Sequence, residues 1–235
     1  MSARQPAFSR ALAAIEAHGA LLVYPVQNRR EPLSLWHVLH PRSEMRWAWD
    51  ADADPRVAEL WHLRERLARS KRVVYTKWLS GRATFFSHRL FRAALADLKA
   101  EHDLQRGLGR DSQALLEILL DDSPQPTRRL REAAGLEGRM NEGAFTRAMR
   151  PLWERMLIVG TGEVEEGGFP SLAVGATELV NEPDWLASDN QTDEGRAVLS
   201  SAVSRLPAFA RAFRRVLRAL PAADDREGET TDPPG

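Results

Sequence analysis

The chain contains no cysteine among its 235 residues. This absence excludes disulfide frameworks, thiolate zinc sites, iron–sulfur clusters and cysteine nucleophiles, and it suits a reducing compartment. No apolar run is long enough to cross a bilayer, and the first residues show no targeting pattern. We therefore predict a cytoplasmic protein that has no membrane partner.

Familiar catalytic and cofactor motifs are also missing. The sequence has no glycine-rich phosphate loop, no Gly-x-Ser-x-Gly elbow and no His-Glu-x-x-His pair. His37 and His40 are predicted to point to opposite faces of a strand, and His62 with Glu65 lacks two further ligands nearby. The acidic run at 50–54 favours a solvated loop over an acid–base site. We predict no metal and no cofactor.

The net charge of zero hides two different halves. Residues 1–110 hold 19 basic and 11 acidic side chains, whereas residues 111–235 hold 14 basic and 22 acidic ones. All six histidines and five of the seven tryptophans lie in the first half. The basic half is the better candidate for contact with a polyanion. The acidic half is a candidate for binding a basic protein partner or for folding back on the basic half.

The basic excess is concentrated at residues 64–92, where nine cations accompany a single acid, Glu65. These cations are interleaved with Tyr75, Trp78, Phe85 and Phe86, as in a phosphate-contacting surface with stacking platforms. The alternative is a solvated helix followed by a hairpin whose aromatic residues belong to the core. The candidate nucleic-acid contacts here are Arg64, Arg69, Lys71, Arg72, Lys77, Trp78, Arg82 and Arg89.

Hydrophobic periodicity and turn signals predict an α+β protein with short antiparallel hairpins. Helices are expected near residues 7–18, 56–70, 88–102, 112–121, 127–134, 141–156 and 196–220. Strands are expected at 21–26 and 33–40, paired antiparallel, and in a hairpin over 72–87 whose turn is Ser80-Gly81.

The second half is predicted to be a winged helix, because three helices precede a hairpin at 157–174. The third of them, at 141–156, is the expected recognition helix. With the helix before it, this helix contributes the candidate contacts Arg128, Arg129, Arg147 and Arg150. Glu163, Glu165 and Glu166 form a predicted acidic turn that would repel phosphates. This module is therefore open to a second interpretation, in which it packs against its neighbour or another protein.

Four segments follow from these patterns. They are a basic α+β subdomain at 1–110, itself a candidate winged-helix-like module, a winged-helix domain at 111–182, a helical extension at 183–222 and a disordered acidic tail at 223–235.

Several runs resemble the winged-helix proteins related to the bacterial AlkZ/YcaQ DNA glycosylases. The resemblance covers roughly residues 7–180, and it rests on Asp122-Ser123-Pro124, Thr127-Arg128-Arg129-Leu130-Arg131, Gly168-Phe169-Pro170-Ser171, Val74-Tyr75-Thr76-Lys77-Trp78 and Gly81-Arg82-Ala83-Thr84-Phe85-Phe86-Ser87. It implies several winged helices around a DNA-binding channel. Active members of the group excise alkylated or crosslinked bases.

The chain departs from that group at the catalytic motif. The resemblance implies a Gln-x-Gln or Gln-x-Asp pair that orients water, and the only matching string is Gln191-Thr192-Asp193, in an acidic region near the C-terminus. We interpret that match as chance, so no catalytic residue is assigned. The leading hypothesis is a double-stranded DNA-binding protein with a role in DNA repair. The alternatives are a glycosylase that stacks an extruded base on Trp78 and a protein-interaction or regulatory module that does not bind nucleic acid.

Overall fold

The structure is a computed structural model, and it describes residues 6–47, 54–166 and 169–221. Most of the predicted loop at 50–54, residues 167–168 and the predicted tail at 223–235 lie outside these ranges. No helix within them is long and apolar enough to span a membrane.

Eleven α-helices account for most of the described residues. They are α1 (Ala7–His18), α2 (Leu35–Leu39), α3 (Pro55–Arg69), α4 (His88–Glu101), α5 (Arg110–Asp121), α6 (Thr127–Ala133), α7 (Glu142–Glu154), α8 (Thr177–Val180), α9 (Glu182–Ala187), α10 (Asp193–Arg205) and α11 (Pro207–Ala219). A single 3₁₀ turn precedes α7.

One antiparallel sheet runs through the molecule in the order β1-β3-β2-β5-β6-β4. Its strands are β1 (Ala20–Leu22), β2 (Val74–Leu79), β3 (Arg82–Phe86), β4 (Gln125–Pro126), β5 (Ile158–Glu166) and β6 (Phe169–Ala176). Tyr75 of β2 pairs with Gly160 of β5. The predicted α+β class and the predicted hairpin at Ser80-Gly81 are therefore confirmed.

The two ends of this sheet have the same internal order. In the first half the elements run α1, β1, α2, α3, β2, β3, and in the second they run α5, β4, α6, α7, β5, β6. In both, the last two strands form a hairpin, and the short first strand pairs with the second strand of that hairpin. The chain thus repeats one arrangement and joins the two copies edge to edge.

Three local predictions are wrong. Residues 33–40 form α2 instead of a strand, because Ser34 caps a helix whose Leu35, Trp36 and Leu39 are buried; β1 pairs with β3 instead. The acidic residues Glu163 and Glu165 lie within β5, not in a turn.

The third error concerns the C-terminal region. The predicted helix at 196–220 is two helices that meet at Leu206 and Pro207, because proline lacks the amide hydrogen that a continuous helix would need there.

Two hydrophobic clusters share the hairpin formed by β2 and β3. Val74, Trp78 and Phe86 belong to a cluster that extends to α11, whereas Tyr75 and Phe85 belong to one built with α1, α2 and α3. Because α4 contributes Phe91, Leu95 and Leu98 to the first cluster, packing is continuous across residue 110. The hairpin therefore holds the two halves together.

Candidate nucleic-acid interface

A cavity of about 490 Å³ opens where the turn between β2 and β3 meets α6, α7 and α11. Phe145, Met149 and Trp153 follow one another at four-residue spacing on α7 and give the cavity an apolar wall. Ser80 and Gly81 contribute the edge formed by the hairpin turn. A volume of this size is within the range of small-ligand sites in proteins.

Five cationic side chains line this cavity, but only one carboxylate does. The cations are Lys77, Arg131, Arg147, Arg150 and Arg215, and the acid is Glu154. Glu154 Oε1 accepts hydrogen bonds from Arg150 Nε at 3.0 Å and from an Arg215 terminal nitrogen at 3.1 Å. The cavity therefore carries an excess of positive charge, and we call it the cationic cavity.

The remaining cations of the cationic cavity are poorly compensated. No hydrogen bond or ion pair joins Lys77 or Arg147 to another residue in the ranges that the structure describes. The Arg131 guanidinium lies 4.4 Å from the centre of the Phe145 ring, and its buried Nε has no hydrogen-bond partner. A buried donor without a partner is costly, so these groups are suited to an anionic ligand.

Two predicted contacts on α3 are engaged within the molecule instead. Arg64 pairs with Glu163 of β5, and the two side chains are only 13% and 15% exposed. Arg69 donates to the Glu163 carbonyl oxygen and, at 2.5 Å, to Glu65. Glu65 in turn accepts from the backbone amide of Glu163 at 2.9 and 3.0 Å. These contacts fasten α3 to β5.

Other basic residues of the first half also pair with acids of the second half. Arg89 pairs with Glu194, Arg92 with Asp184, and Lys99 with Asp189. In these contacts, acidic residues of the second half lie against basic residues of the first half, as one of the sequence-based alternatives expected. Some of the basic side chains of the first half are therefore neutralised by ion pairs within the protein.

The predicted contacts do not form one continuous surface. Lys77, Arg147 and Arg150 meet in the cationic cavity, and the exposed Arg82 directly follows Gly81 at its edge. Lys71, Arg72 and Arg89 are exposed near the opposite end of the hairpin, about 20 Å away at the rise of a strand. Arg128 and Arg129 are exposed on α6, where Arg128 pairs with Glu132.

Trp78 is an interior residue, so the prediction that it forms an exposed stacking platform is wrong. Its side chain is 1% exposed, and it contacts the rings of Phe86, Phe209 and Phe213. Its indole nitrogen donates to the Glu154 carbonyl oxygen at 3.0 Å. Tyr75, Phe85 and Phe86 are buried as well. The aromatic residues between the cations are thus core, which was the alternative that the sequence left open.

Arg131 and Arg215 were not among the predicted contacts. The cluster Arg128-Arg129-Leu130-Arg131 signals a basic turn of helix, but only the position of Phe145 selects Arg131 from it. Arg215 lies 61 residues beyond Glu154, and no sequence pattern places α11 beside α7.

A second polar cluster joins α4 to α9. Asp184, which is 2% exposed, accepts hydrogen bonds from His88 Nδ1 at 2.5 Å, Arg92 at 3.0 Å and Asn181 at 3.0 Å. His88 Nε2 faces the Lys71 carbonyl oxygen at 3.0 Å. Because both imidazole nitrogens face acceptors, these contacts favour the doubly protonated form of His88. The cluster is therefore an ionic contact between elements.

The hydrogen bond to Asp184 raises the pKa of His88 above its ordinary value, and the bonds from His88, Arg92 and Asn181 lower the pKa of Asp184 against the effect of burial. A raised histidine pKa stabilises the fold fully below about pH 6.5 and loses that effect as pH rises through the raised value. The contribution of Asp184 is present above about pH 3.8 and is lost as pH falls through its lowered pKa.

We expect thermal stability to decrease as pH rises from 6.5 through the raised pKa of His88. His88→Asn should flatten this part of the curve, as measured by melting in a pH series. Asp184→Asn should cost about 2 kcal/mol, because it replaces the buried carboxylate that accepts from His88, Arg92 and Asn181 with a neutral amide. The control is Asp193→Asn, whose side chain is 97% exposed and should shift stability by less than about 0.5 kcal/mol. Equal melting temperatures of Asp184→Asn and Asp193→Asn would contradict the assignment of Asp184 to a stabilising ionic contact.

The residues Gln191-Thr192-Asp193 make hydrogen bonds and an ion pair at the start of α10. Thr192 caps α10 by accepting from the Gly195 amide at 3.0 Å, and Asp193 pairs with Arg196. The Gln191 amide nitrogen lies 3.4 Å from the Ala93 carbonyl oxygen. The string therefore begins a helix. Within the described ranges, no group of three or more metal-ligating side chains is present.

A repeated arrangement of helices and strands, with a cavity lined mainly by cations, defines a mixed α+β protein. The family model described as AlkZ related matches residues 6–217, so the chain belongs to the AlkZ-related family. This membership relates the chain to DNA glycosylases of the AlkZ type and to DNA repair. No curated protein and no solved structure matches the chain.

Proposed function

We propose that the protein binds double-stranded DNA through two winged helices and acts in DNA repair. The element order helix, strand, helix, helix, strand, strand supports this assignment in both halves, since a winged helix has that order. In such a unit the third helix faces the nucleic acid, and here the third helices are α3 and α7.

The helices α3 and α7 differ in whether their basic side chains are already paired within the protein. α3 is fastened to β5 through Arg64 and Arg69, so these charges are committed within the protein. Arg147 and Arg150 are exposed on α7 and line the cationic cavity. We assign the DNA-facing role to α7, with Arg131, Arg215 and Arg82 beside it.

The observation that carries this proposal is the excess of cations over carboxylates in the cationic cavity. Coulomb attraction to phosphate is strongest where charges are partly withdrawn from water and not neutralised by neighbours. Arg131 is half-buried and has no ion-pair partner in the described ranges, and the exposed Arg147 is likewise not neutralised by a neighbour, unlike the paired cations of α3 and α4. A protein partner for the acidic half receives less support, because Glu163, Asp184, Asp189 and Glu194 already pair internally.

Duplex DNA should bind with an affinity that decreases steeply with salt. Contact with three to five phosphates gives a slope of about −3 to −4.5 in a plot of log affinity against log salt concentration. Fluorescence anisotropy with a labelled 20-base-pair duplex, titrated at several salt concentrations, measures this slope. Absence of binding at about 50 mM salt, or an affinity that does not depend on salt, would refute the proposal.

Base excision is the second candidate, and family membership favours it. It predicts that the full chain converts alkylated or crosslinked duplexes into duplexes with abasic sites, detected as strand breaks after alkali. Gln191→Ala should leave that activity unchanged, because Gln191 lies beside α10 and not in the cationic cavity. Inactivity across a lesion panel with intact DNA binding would remove the excision hypothesis and retain the binding one.

A further inference from the structure

Lysine is rare in this chain, which has three lysines and thirty arginines. Lys99 has a structural role, because its Nζ donates to Asp189 and to the Trp185 carbonyl oxygen and lies 3.6 Å from the centre of the Trp185 ring. Lys71 is exposed on the surface before β2. Lys77 is the lysine that lines the cationic cavity.

Local backbone irregularity helps to place Lys77 there. The register between β2 and β3 shifts between Thr76 and Leu79, and the Trp78 amide donates to Thr76 Oγ1 at 3.0 Å. Lys77 lies within this bulge, and bulges often direct a side chain toward a site. The side chain is half-buried and has no hydrogen-bond or ion-pair partner in the described ranges. Its ammonium group is therefore poorly solvated and poorly compensated.

The surroundings of Lys77 favour the neutral amine. Burial lowers its pKa, and the positive charges of Arg64 and Arg131 lower it further, while Glu163 acts in the opposite direction. A lysine that is desolvated beside other cations is a recognised form of activated amine nucleophile. Arginine stays charged at every ordinary pH, so none of the neighbouring guanidinium groups can serve in this way.

We propose that Lys77 is an amine nucleophile that condenses with an aldehyde held next to a phosphate group. In DNA this group is the ring-opened sugar of an abasic site, and that part of the inference rests on the proposed DNA binding. Arg131 and Arg147 line the same cavity, where they can hold the adjoining phosphates. In this arrangement the Lys77 amine reacts with the aldehyde, and the arginines bind the phosphates.

The reaction needs no oxidant or reductant. The lone pair of Lys77 Nζ attacks the aldehyde carbon, the carbonyl electron pair moves to oxygen, and a proton transfers from nitrogen to that oxygen. The resulting carbinolamine loses its hydroxyl group as water after protonation. A carbon–nitrogen double bond remains, which is a protonated Schiff base between the protein and the sugar.

Borohydride trapping tests the proposal, because it reduces the Schiff base to a stable amine. The full chain is incubated with a duplex that carries one abasic site, reduced, and examined on a denaturing gel. A covalent complex is expected for the parent, and mass spectrometry of the peptides should locate it at Lys77. Lys77→Arg should reduce trapping to background, while Lys71→Arg and Lys99→Arg should retain it.

A second probe, 2-deoxyribose 5-phosphate, separates the amine chemistry from DNA binding. Lys77 should be labelled at a lower pH than the side-chain amine of free lysine, because burial and the neighbouring arginines lower its pKa. Labelling of Lys77 by this sugar without DNA binding would uphold the nucleophile and reject the DNA proposal. DNA binding without an adduct at Lys77 would reject the nucleophile alone.

Labelling only at Lys71 or at the N-terminal amine would also overturn the inference. Thermal melting of Lys77→Arg and of a second variant, Lys77→Met, shows whether either substitution unfolds the chain. If both variants unfold, the site at which the parent protein is labelled still tests whether Lys77 is the nucleophile.

Discussion

Replacing Arg131, Arg147 and Arg150 together by glutamine is expected to weaken duplex binding by about 1,000-fold. Each charge-assisted contact to phosphate contributes about 1.5 kcal/mol, and tenfold in affinity corresponds to about 1.4 kcal/mol. Loss of three contacts should also reduce the magnitude of the salt slope by about 3. Anisotropy titrations in a salt series measure both quantities.

A matched variant distinguishes a located interface from overall charge. Lys71, Arg72 and Arg89 lie near the opposite end of the hairpin, and changing them to glutamine removes the same three positive charges. We expect this variant to lose only about threefold in affinity and to keep most of its salt slope. If both triple variants lose affinity equally, the cationic cavity is not the DNA contact and binding follows net charge.

Stability must be measured beside affinity, because Arg131 stacks on Phe145. The single variant Arg147→Gln is free of this complication, since Arg147 is exposed and makes no contact of that kind in the described structure. It should weaken binding about tenfold without a shift in melting temperature.

Gly160→Ala is expected to destabilise the fold by about 3 kcal/mol. A Cβ at Gly160 would lie 2.3 Å from Cδ1 and 2.8 Å from Cε1 of Tyr75. The Tyr75 ring is 3% exposed and lies beside Phe85, so it cannot move aside without disturbing the core. Because this residue pair joins β2 to β5, the clash falls where the two halves of the sheet meet. Urea unfolding measures the change.

Two comparisons make this test specific. Gly143→Ala on α7 should change stability by less than about 0.5 kcal/mol, since its Cβ would meet only the flexible end of Arg147. Tyr75→Leu should partly relieve the clash, which gives a favourable coupling of about 1–2 kcal/mol in a double-mutant cycle with Gly160→Ala. Additive effects in that cycle would show that the strain lies elsewhere.

Local signals predicted the helices well. α1 ends where Gly19 adopts a positive φ, α3 begins with Asp54 as cap and Pro55 as first residue, and α4 begins at the Ser87 cap. Each of these signals acts between residues within one turn, so the sequence contains all of the partners. The same is true of Ser80-Gly81, where both residues have positive φ.

Short apolar segments were predicted less well. The residues at 33–40 have an alternation that suits a strand, yet the Ser34 cap and the burial of Leu35, Trp36 and Leu39 stabilise a helix. For so short a segment, tertiary burial outweighs local preference. The break at Leu206 and Pro207 carries a proline signal, which the periodicity of the surrounding residues masked.

The candidate site was predicted only in part. Basic residues at Lys77, Arg147 and Arg150 were evident as candidates, but their meeting in one cavity depends on how β2 packs against α7. Trp78 was misassigned because the residues that cover it, Phe209 and Phe213, lie more than 130 positions further along the chain.

The sequence by itself determined the mixed helix and strand composition, most helix boundaries and the opposite charge of the two halves. Only the tertiary structure decided which charges remain available. Arg64 and Arg69 are held by Glu163, whereas Lys77 and Arg147 have no such partner in the described ranges. The physical reason is that electrostatic energy depends on the distance between groups and on their exposure to water, and neither follows from separation along the chain.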